Sequence, residues 1–124
     1  MGRALDRRRA FEILFARTFL GCDYFLDVSL YTGHLVRGVE ENLEKIDGLI
    51  KSNIENWSFD RISRVAKCAL RIGVYEMISG DVPIPVSINE AVEISKIYAG
   101  EDDANFVQAV LSSIFRSLRE TQNE

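Results

Sequence analysis

Apolar residues recur every three or four positions along most of the chain, and the strict alternation typical of a half-buried strand is almost absent. Between residues 5 and 20 this spacing joins four side chains, Leu14, Phe15, Thr18 and Phe19. A second stripe, from about residue 30 to 54, joins six more: Leu35, Val39, Leu43, Ile46, Ile50 and Ile54. Three further helical segments follow. The pattern predicts five to seven helices in one all-α domain.

Glycines indicate where several of these helices should bend or end. Gly21 is expected to cap the first helix, and Gly80 and Gly100 are expected to end two later ones. Gly38 and Gly48 weaken the long second segment, which we expect to be bent or divided there.

The segment around two prolines predicts the clearest boundary. Pro83 and Pro85 lack amide hydrogens and push their predecessors into extended conformations, so residues 81–86 are predicted to be non-helical. Ser87 and Glu90 have the spacing of a capping box, which predicts that the next helix starts at Ser87.

Length and composition fit one globular domain over residues 1–124, because apolar types make up 47% of the chain and charged types 27%. A domain of this size buries roughly two thirds of its unfolded surface, so its core needs no metal or disulfide. Cys22 and Cys68 form no CxxC pair and are expected to be reduced. No apolar run approaches the roughly 20 residues of a membrane helix, and no secretory segment follows the start. We expect a soluble cytoplasmic domain.

Charge is distributed unevenly, although the net charge is −4. Residues 1–20 hold five arginines against two acidic residues, and residues 61–73 hold four basic residues and no acidic one. Two short basic segments on an acidic body suggest a localised anion site rather than diffuse binding to nucleic acid.

Few residues offer catalytic chemistry. His34 is the only histidine, and we expect it to pack against a helix or face solvent rather than act as a base. Glu101, Asp102 and Asp103 could suggest a metal site, but at a helix start such carboxylates cap the helix and complement its dipole, and Asp102 or Asp103 is the expected cap. The sequence therefore predicts neither an enzyme nor a metal or cofactor site.

Three arginines near the start of the first helix carry more information. Arg7, Arg8 and Arg9 are expected in its first turns, where the helix dipole disfavours cations by about 0.3–1 kcal/mol each. Their position suggests a second purpose, the binding of nucleic-acid phosphates without reading sequence. The alternative is a solvated basic terminus without function.

The second basic segment leaves two interpretations open. Arg64, Lys67 and Arg71 share one helix face, and Ser63 is the expected N-cap of that helix. The three cations could bind phosphate or form ion pairs with the acidic body. Phe106, near the start of the last helix, could likewise anchor the core or present its ring to an RNA base.

Several segments resemble the NusB family of bacterial transcription antitermination factors. The arginine-rich start, Arg7–Glu12, matches the family motif. The densest likeness runs in order through Trp57–Arg61, Cys68–Glu76, Asp81–Pro83, Val86–Lys96 and Glu101–Leu111. The resemblance implies an all-α domain of two packed three-helix subdomains, roughly residues 1–56 and 57–124.

The same resemblance implies function, partners and a site. NusB proteins pair with NusE, a small-subunit ribosomal protein, and the pair binds the single-stranded boxA element of ribosomal RNA leaders and supports RNA polymerase antitermination. Some relatives form homodimers that cover the arginine-rich helix. By position, the implied RNA-binding residues are Arg7, Arg8, Arg9, Phe19, Lys67, Asp102, Asn105 and Phe106.

A second likeness stays open at this stage, to the NusB-like module of ribosomal RNA cytosine methyltransferases. That module would recruit substrate for an enzyme, but the sequence holds no Gly-rich strand for a methyl donor. A structural scaffold without RNA binding is a third alternative.

Overall fold

The computed structural model describes residues 2–20, 30–55, 58–80 and 82–123, and the regular elements in these ranges are all helical. They are α1 (Gly2–Leu20), α2 (Leu30–Glu41), α3 (Leu43–Ser52), a 3₁₀ turn (Phe59–Arg61), α4 (Arg64–Ser79), α5 (Ile84–Ala99) and α6 (Glu101–Asn123). The prediction of an all-α domain with five to seven helices is therefore confirmed for this part of the chain. Gly21, Cys22, Trp57 and Asp81, which entered the sequence predictions, lie outside the described residues.

Helix α4 lies at the centre of the fold and packs against each of the other five helices. After its first turn it is buried on nearly all sides, as expected for a helix with apolar residues around most of its circumference. Helices α5 and α6 pack on α4 and on each other, whereas α1, α2 and α3 each contact α4 from the other sequence half. The subdomain boundary near residue 56 stays a prediction.

The ends of α4 agree with the sequence prediction. The Ser63 hydroxyl accepts a hydrogen bond from the Ala66 amide at 3.0 Å, and Gly80 closes the helix with φ of 74°. Both signals are local: a serine hydroxyl satisfies a free amide, and glycine adopts the left-handed conformation without strain. The prediction is confirmed at both ends.

The long second segment is divided, but at neither glycine. The break falls at Asn42, whose side-chain amide donates to the Gly38 carbonyl at 2.8 Å. Gly38 instead allows close packing, because a Cβ atom there would lie 2.1 Å from Cζ of Tyr75. Gly48 lies inside α3 with no atom near its missing Cβ. The prediction of a divided segment is confirmed, and the predicted positions of the break are wrong.

The N-cap of helix α5 lies four residues earlier than predicted. Pro83 is its N-cap and Pro85 lies in the first turn, where the missing amide hydrogen costs nothing because those amides have no helical partner. Ser87 is fully buried inside the helix, and its hydroxyl has no hydrogen-bond partner among the described residues. The predicted capping box is therefore wrong, and the predicted non-helical stretch is confirmed for residues 82–83 and wrong for residues 84–86.

The start of α6 needs a smaller correction. Gly100, with φ of 101°, ends α5 as predicted, and its carbonyl accepts the amide of Ala104. Asp102 and Asp103 lie inside the first turn of α6 rather than at its cap, where their charge complements the helix dipole. No described helix is long and apolar enough to cross a membrane.

Candidate nucleic-acid interface

Arg7 points into the protein, although it belongs to the arginine triplet. Only 3% of its surface is exposed, and its Nε donates to both carboxylate oxygens of Glu76 at 2.9 Å. The hydroxyl of Tyr31 donates to the same carboxylate. Burial alone would lower the pKa of Arg7, but the hydrogen bond and the charge of Glu76 outweigh it, so the pKa is raised. Arg7 is thus a permanently charged member of a buried cluster.

The three arginines therefore do not act as one group, which corrects the sequence prediction. Successive helical residues are rotated by about 100°, so three in a row cannot face one side. Arg7 lies on the same helix face as the buried residues Ala10, Phe11 and Leu14. This buried face starts about one turn before the predicted stripe, which began at Leu14. Arg8 and Arg9 are exposed.

The helix dipole affects these arginines less than expected from the sequence. Helix α1 begins at Gly2, so Arg7, Arg8 and Arg9 occupy its second turn, whereas Arg3 lies in the first. Since the dipole acts mainly on the terminal turn, it disfavours Arg8 and Arg9 less than the sequence suggested. The guanidinium carbon of Arg3 lies 4.4 Å from the centre of the Tyr31 ring, a cation–π contact.

The surface formed by Arg8 and Arg9, called the arginine face below, carries its charge without a carboxylate partner in the described ranges. Arg8 borders a shallow cavity of about 420 Å³ between α1 and α5, which Glu90 and Glu93 also line. These carboxylates lie outside ion-pairing distance. The arginine face therefore remains available to an anionic ligand.

A second part of the surface lies where α4 and α6 begin. The Ser63 hydroxyl donates to Asp103 at 2.6 Å and joins the two helix starts. Beside this bond is an open cavity of about 300 Å³, called the Phe106 cavity below. It is lined by Arg61, Ile62, Ser63, Ala66, Asp102, Asp103 and Phe106.

Phe106 combines both interpretations left open by the sequence. Its ring is half-buried and packs on the hydrophobic core, and it also lines the cavity. Asp102 lines the same cavity, and Asn105 is exposed on the neighbouring position of α6. The core fixes one side of the ring, and the cavity leaves the other side accessible. Such a ring can stack on a base without losing further conformational freedom on binding.

Lys67 lies one position after Ala66, outside the lining of the cavity, and its ammonium group is 4.7 Å from the centre of the Phe59 ring. Arg71, on the same helix, forms two hydrogen bonds of 2.9 Å to the carboxylate of Asp47. For Arg71 the ion-pair interpretation is thus the one that the structure shows.

Phe19 lies in the last turn of α1, but its side chain is outside the described part of the structure. Its predicted place beside the RNA stays a prediction. His34 is half-buried, with Nε2 3.1 Å from the Tyr75 hydroxyl, so it packs between helices as expected. Cys68 is buried, and desolvation raises the pKa of its thiol to about 11, which keeps it neutral.

The two parts of the interface are held at a fixed distance by α4. Arg7 of α1 is hydrogen-bonded to Glu76 of α4, whereas the Phe106 cavity borders α4 at Ala66. Ten helical residues correspond to about 15 Å along the axis. The point where Arg7 binds α4 and the Phe106 cavity are therefore about 15 Å apart along α4.

Sequence reasoning missed the residues that hold this surface in place. Tyr31 and Glu76 fix α1 through Arg7, yet they lie far from it along the chain, and no local pattern pairs them. Arg61 could have been found, because it belongs to the basic segment and immediately precedes the helix start that forms the Phe106 cavity.

Comparison with known protein families gives one consistent answer. Residues 6–116 match the NusB family. A transcription antitermination protein NusB from Clostridium botulinum (strain Alaska E43) is 37% identical over 132 residues, covering 94% of this chain and 99% of the relative. The NusB protein of Syntrophotalea carbinolica is 51% identical over 86 residues, which cover 68% of this chain and 55% of that protein.

Solved structures agree with the sequence comparison. A T. maritima NusB structure superposes with a TM-score of 0.80 at 35% identity, covering 90% of this chain and 89% of that one. A chain from a crystal structure of the antitermination factors NusB and NusE in complex with double-stranded RNA superposes with a TM-score of 0.82. The identity is 28%, over 93% of this chain and 96% of that one.

Proposed function

Since this chain belongs to the NusB family, a family of antitermination factors rather than enzymes, we propose that it binds single-stranded boxA RNA of ribosomal RNA leaders together with NusE. The bound complex would act on RNA polymerase in the cytoplasm and support ribosomal RNA transcription. The observation that carries the proposal is the arginine face, where Arg8 and Arg9 are exposed without a carboxylate partner in the described residues.

The residues divide into three roles. Arg8 and Arg9 bind phosphates, and Phe106, beside Asp102, offers a ring to a base. Family likeness adds Lys67, Asn105 and Phe19 to the proposed RNA contacts. Arg7 fixes the helix that carries the arginine face. Phosphate contacts supply affinity without reading sequence, whereas contacts to bases supply specificity.

A protein partner is expected to be necessary. The arginine face offers two cations on a chain of net charge −4, so binding to RNA alone should be weak and sensitive to salt. A chain that this fold resembles comes from a crystal structure of NusB and NusE in complex with double-stranded RNA, which supports NusE as the partner.

The test compares RNA binding with and without NusE. Fluorescence anisotropy with labelled boxA RNA is expected to show tight binding only with NusE present, and weaker binding of a scrambled RNA of equal composition. Equal affinity for boxA and scrambled RNA, with and without NusE, would refute the proposal.

The methyltransferase-module alternative has no observation in its favour. The two relatives described above are antitermination proteins, and one aligns over 99% of its own length. A homodimer that covers the arginine face is still an expectation. Light scattering across protein concentrations, with and without RNA, tests it: RNA should shift any dimer towards monomer.

A further inference from the structure

Three cationic side chains surround the ring of Phe59, at the junction of α3, α4 and the 3₁₀ turn. The ammonium nitrogens of Lys51 and Lys67 lie 5.0 Å and 4.7 Å from the ring centre, and the guanidinium carbon of Arg71 lies 5.8 Å from it. Such contacts are attractive because the face of an aromatic ring carries negative partial charge. We call this group the Phe59 cluster.

The positive charge of the cluster is only partly neutralised within the described residues. Asp47 pairs with Arg71, whereas Lys51 and Lys67 form no ion pair there. Since both ammonium groups lie within about 5 Å of one ring centre, they are at most about 10 Å apart, close to the screening length of about 8 Å at physiological salt. The two cations therefore contribute to one region of positive potential, which attracts an anion.

The cluster continues the surface proposed for RNA. Ser63 and Ala66 line the Phe106 cavity, and the Lys67 amide donates to the Ser63 carbonyl one helical turn away. Lys67 is therefore next to the cavity lining in α4 while its ammonium group belongs to the Phe59 cluster, and Lys51 extends the basic surface from α4 onto α3.

We propose that the Phe59 cluster is a phosphate-binding site for RNA that flanks the segment held at the arginine face and the Phe106 cavity. The ligand is a backbone phosphate rather than a base, because the cations lie over the ring and occupy the space that a stacked base would need. The inference rests on the proposed function and adds Lys51, on a helix that the sequence did not connect with RNA.

The test uses Lys51→Gln, with Lys45→Gln as the matched control. Both lysines are exposed on α3, but Lys45 lies six residues earlier, on another face. Binding is measured between 50 and 200 mM salt, with NusE, to a minimal boxA RNA and to one extended by several nucleotides at both ends.

For the extended RNA, Lys51→Gln should lower affinity and reduce the slope of log K against log salt by about 0.7, the value for one phosphate contact on a single strand. Lys51→Arg, which keeps the charge, and Lys45→Gln should bind it like the wild type. If Lys51→Gln and Lys45→Gln give the same affinity and slope for the extended RNA, the inference is overturned.

The two proposals fail in different ways. If Arg8→Glu weakens binding of the minimal RNA but Lys51→Gln leaves binding of the extended RNA unchanged, only the proposal of the flanking site is refuted. If Arg8→Glu leaves RNA binding unchanged, both the proposed function and the flanking site are refuted.

Discussion

Replacing Glu76 by glutamine should destabilise this protein more than the loss of the charge of Asp47 or of Glu101. Glu76 is fully buried, accepts two hydrogen bonds from Arg7 and a third from Tyr31, and Arg7 itself is 3% exposed. Removing one partner of a buried pair leaves the other charge uncompensated and costs about 3–5 kcal/mol. Urea unfolding should show this as a midpoint lowered by about 2 M, for an m-value of about 2 kcal/mol per M.

Two less buried pairs provide controls. Asp47→Asn breaks the pair with Arg71, whose side chains are 16% and 17% exposed, and should cost about 1–2 kcal/mol. Glu101→Gln removes a surface contact of 4.0 Å to Lys96 and should cost under about 0.5 kcal/mol. If Glu76→Gln costs no more than Glu101→Gln, the reasoning from burial is refuted.

A triple replacement separates stability from RNA contact. Arg7→Met, Tyr31→Phe and Glu76→Leu together remove all three groups of the cluster and leave no unpaired charge behind. Buried ion pairs replaced in this way often lose little stability. The triple variant should therefore recover most of the stability that Glu76→Gln loses, and it should bind RNA as the wild type does because apolar packing then holds α1 in place. Loss of RNA affinity in a stable triple variant would mean that the charged cluster itself is needed for RNA binding, either to position α1 or through direct contact by Arg7.

Further predictions concern packing and titration. Gly38→Ala should lower the free energy of unfolding by at least about 1–3 kcal/mol, because its Cβ would overlap the Tyr75 ring. Gly48→Ala should raise the free energy of unfolding by about 0.5–1 kcal/mol, because the added Cβ meets no other atom. Urea unfolding of both variants measures these two changes. The buried Cys68 thiol has a pKa of about 11, above its ordinary value of 9.0, so the unfolded chain loses that proton first as pH rises. The wild type should therefore lose up to about 2 kcal/mol of stability relative to Cys68→Ala between about pH 9 and 11, and a difference that does not change with pH would contradict this. Phe106→Ala should lower boxA affinity by about 1–3 kcal/mol and leave the salt slope unchanged, as measured by anisotropy titrations.

The helices were predictable where the signals are local. Ser63 and Gly80 set the two ends of α4 through contacts within one turn, so the sequence alone was sufficient. At the start of α5, the capping-box spacing at Ser87 predicted the wrong start. The helix begins four residues earlier, with Pro83 as its N-cap, and Ser87 is buried. That outcome depends on packing, which a local pattern does not contain.

The candidate site was predictable in part. The basic segments and Phe106 were recognisable from charge and family likeness, but the separation of Arg7 from Arg8 required the helix face. The sequence did contain that signal, since Arg7 is spaced three, four and seven residues from the buried Ala10, Phe11 and Leu14. Its partner Glu76 lies 69 positions away and follows only from the fold.

The most direct measurement of the central claim is the binding of boxA RNA, with NusE, to charge-reversed variants of the arginine face. Arg8→Glu and Arg9→Glu should each lower affinity and reduce the salt slope by at least about 0.7. Arg116→Glu, at an exposed position in the second half of α6, should leave both quantities unchanged. Equal affinity and slope for all three variants and the wild type would contradict the account.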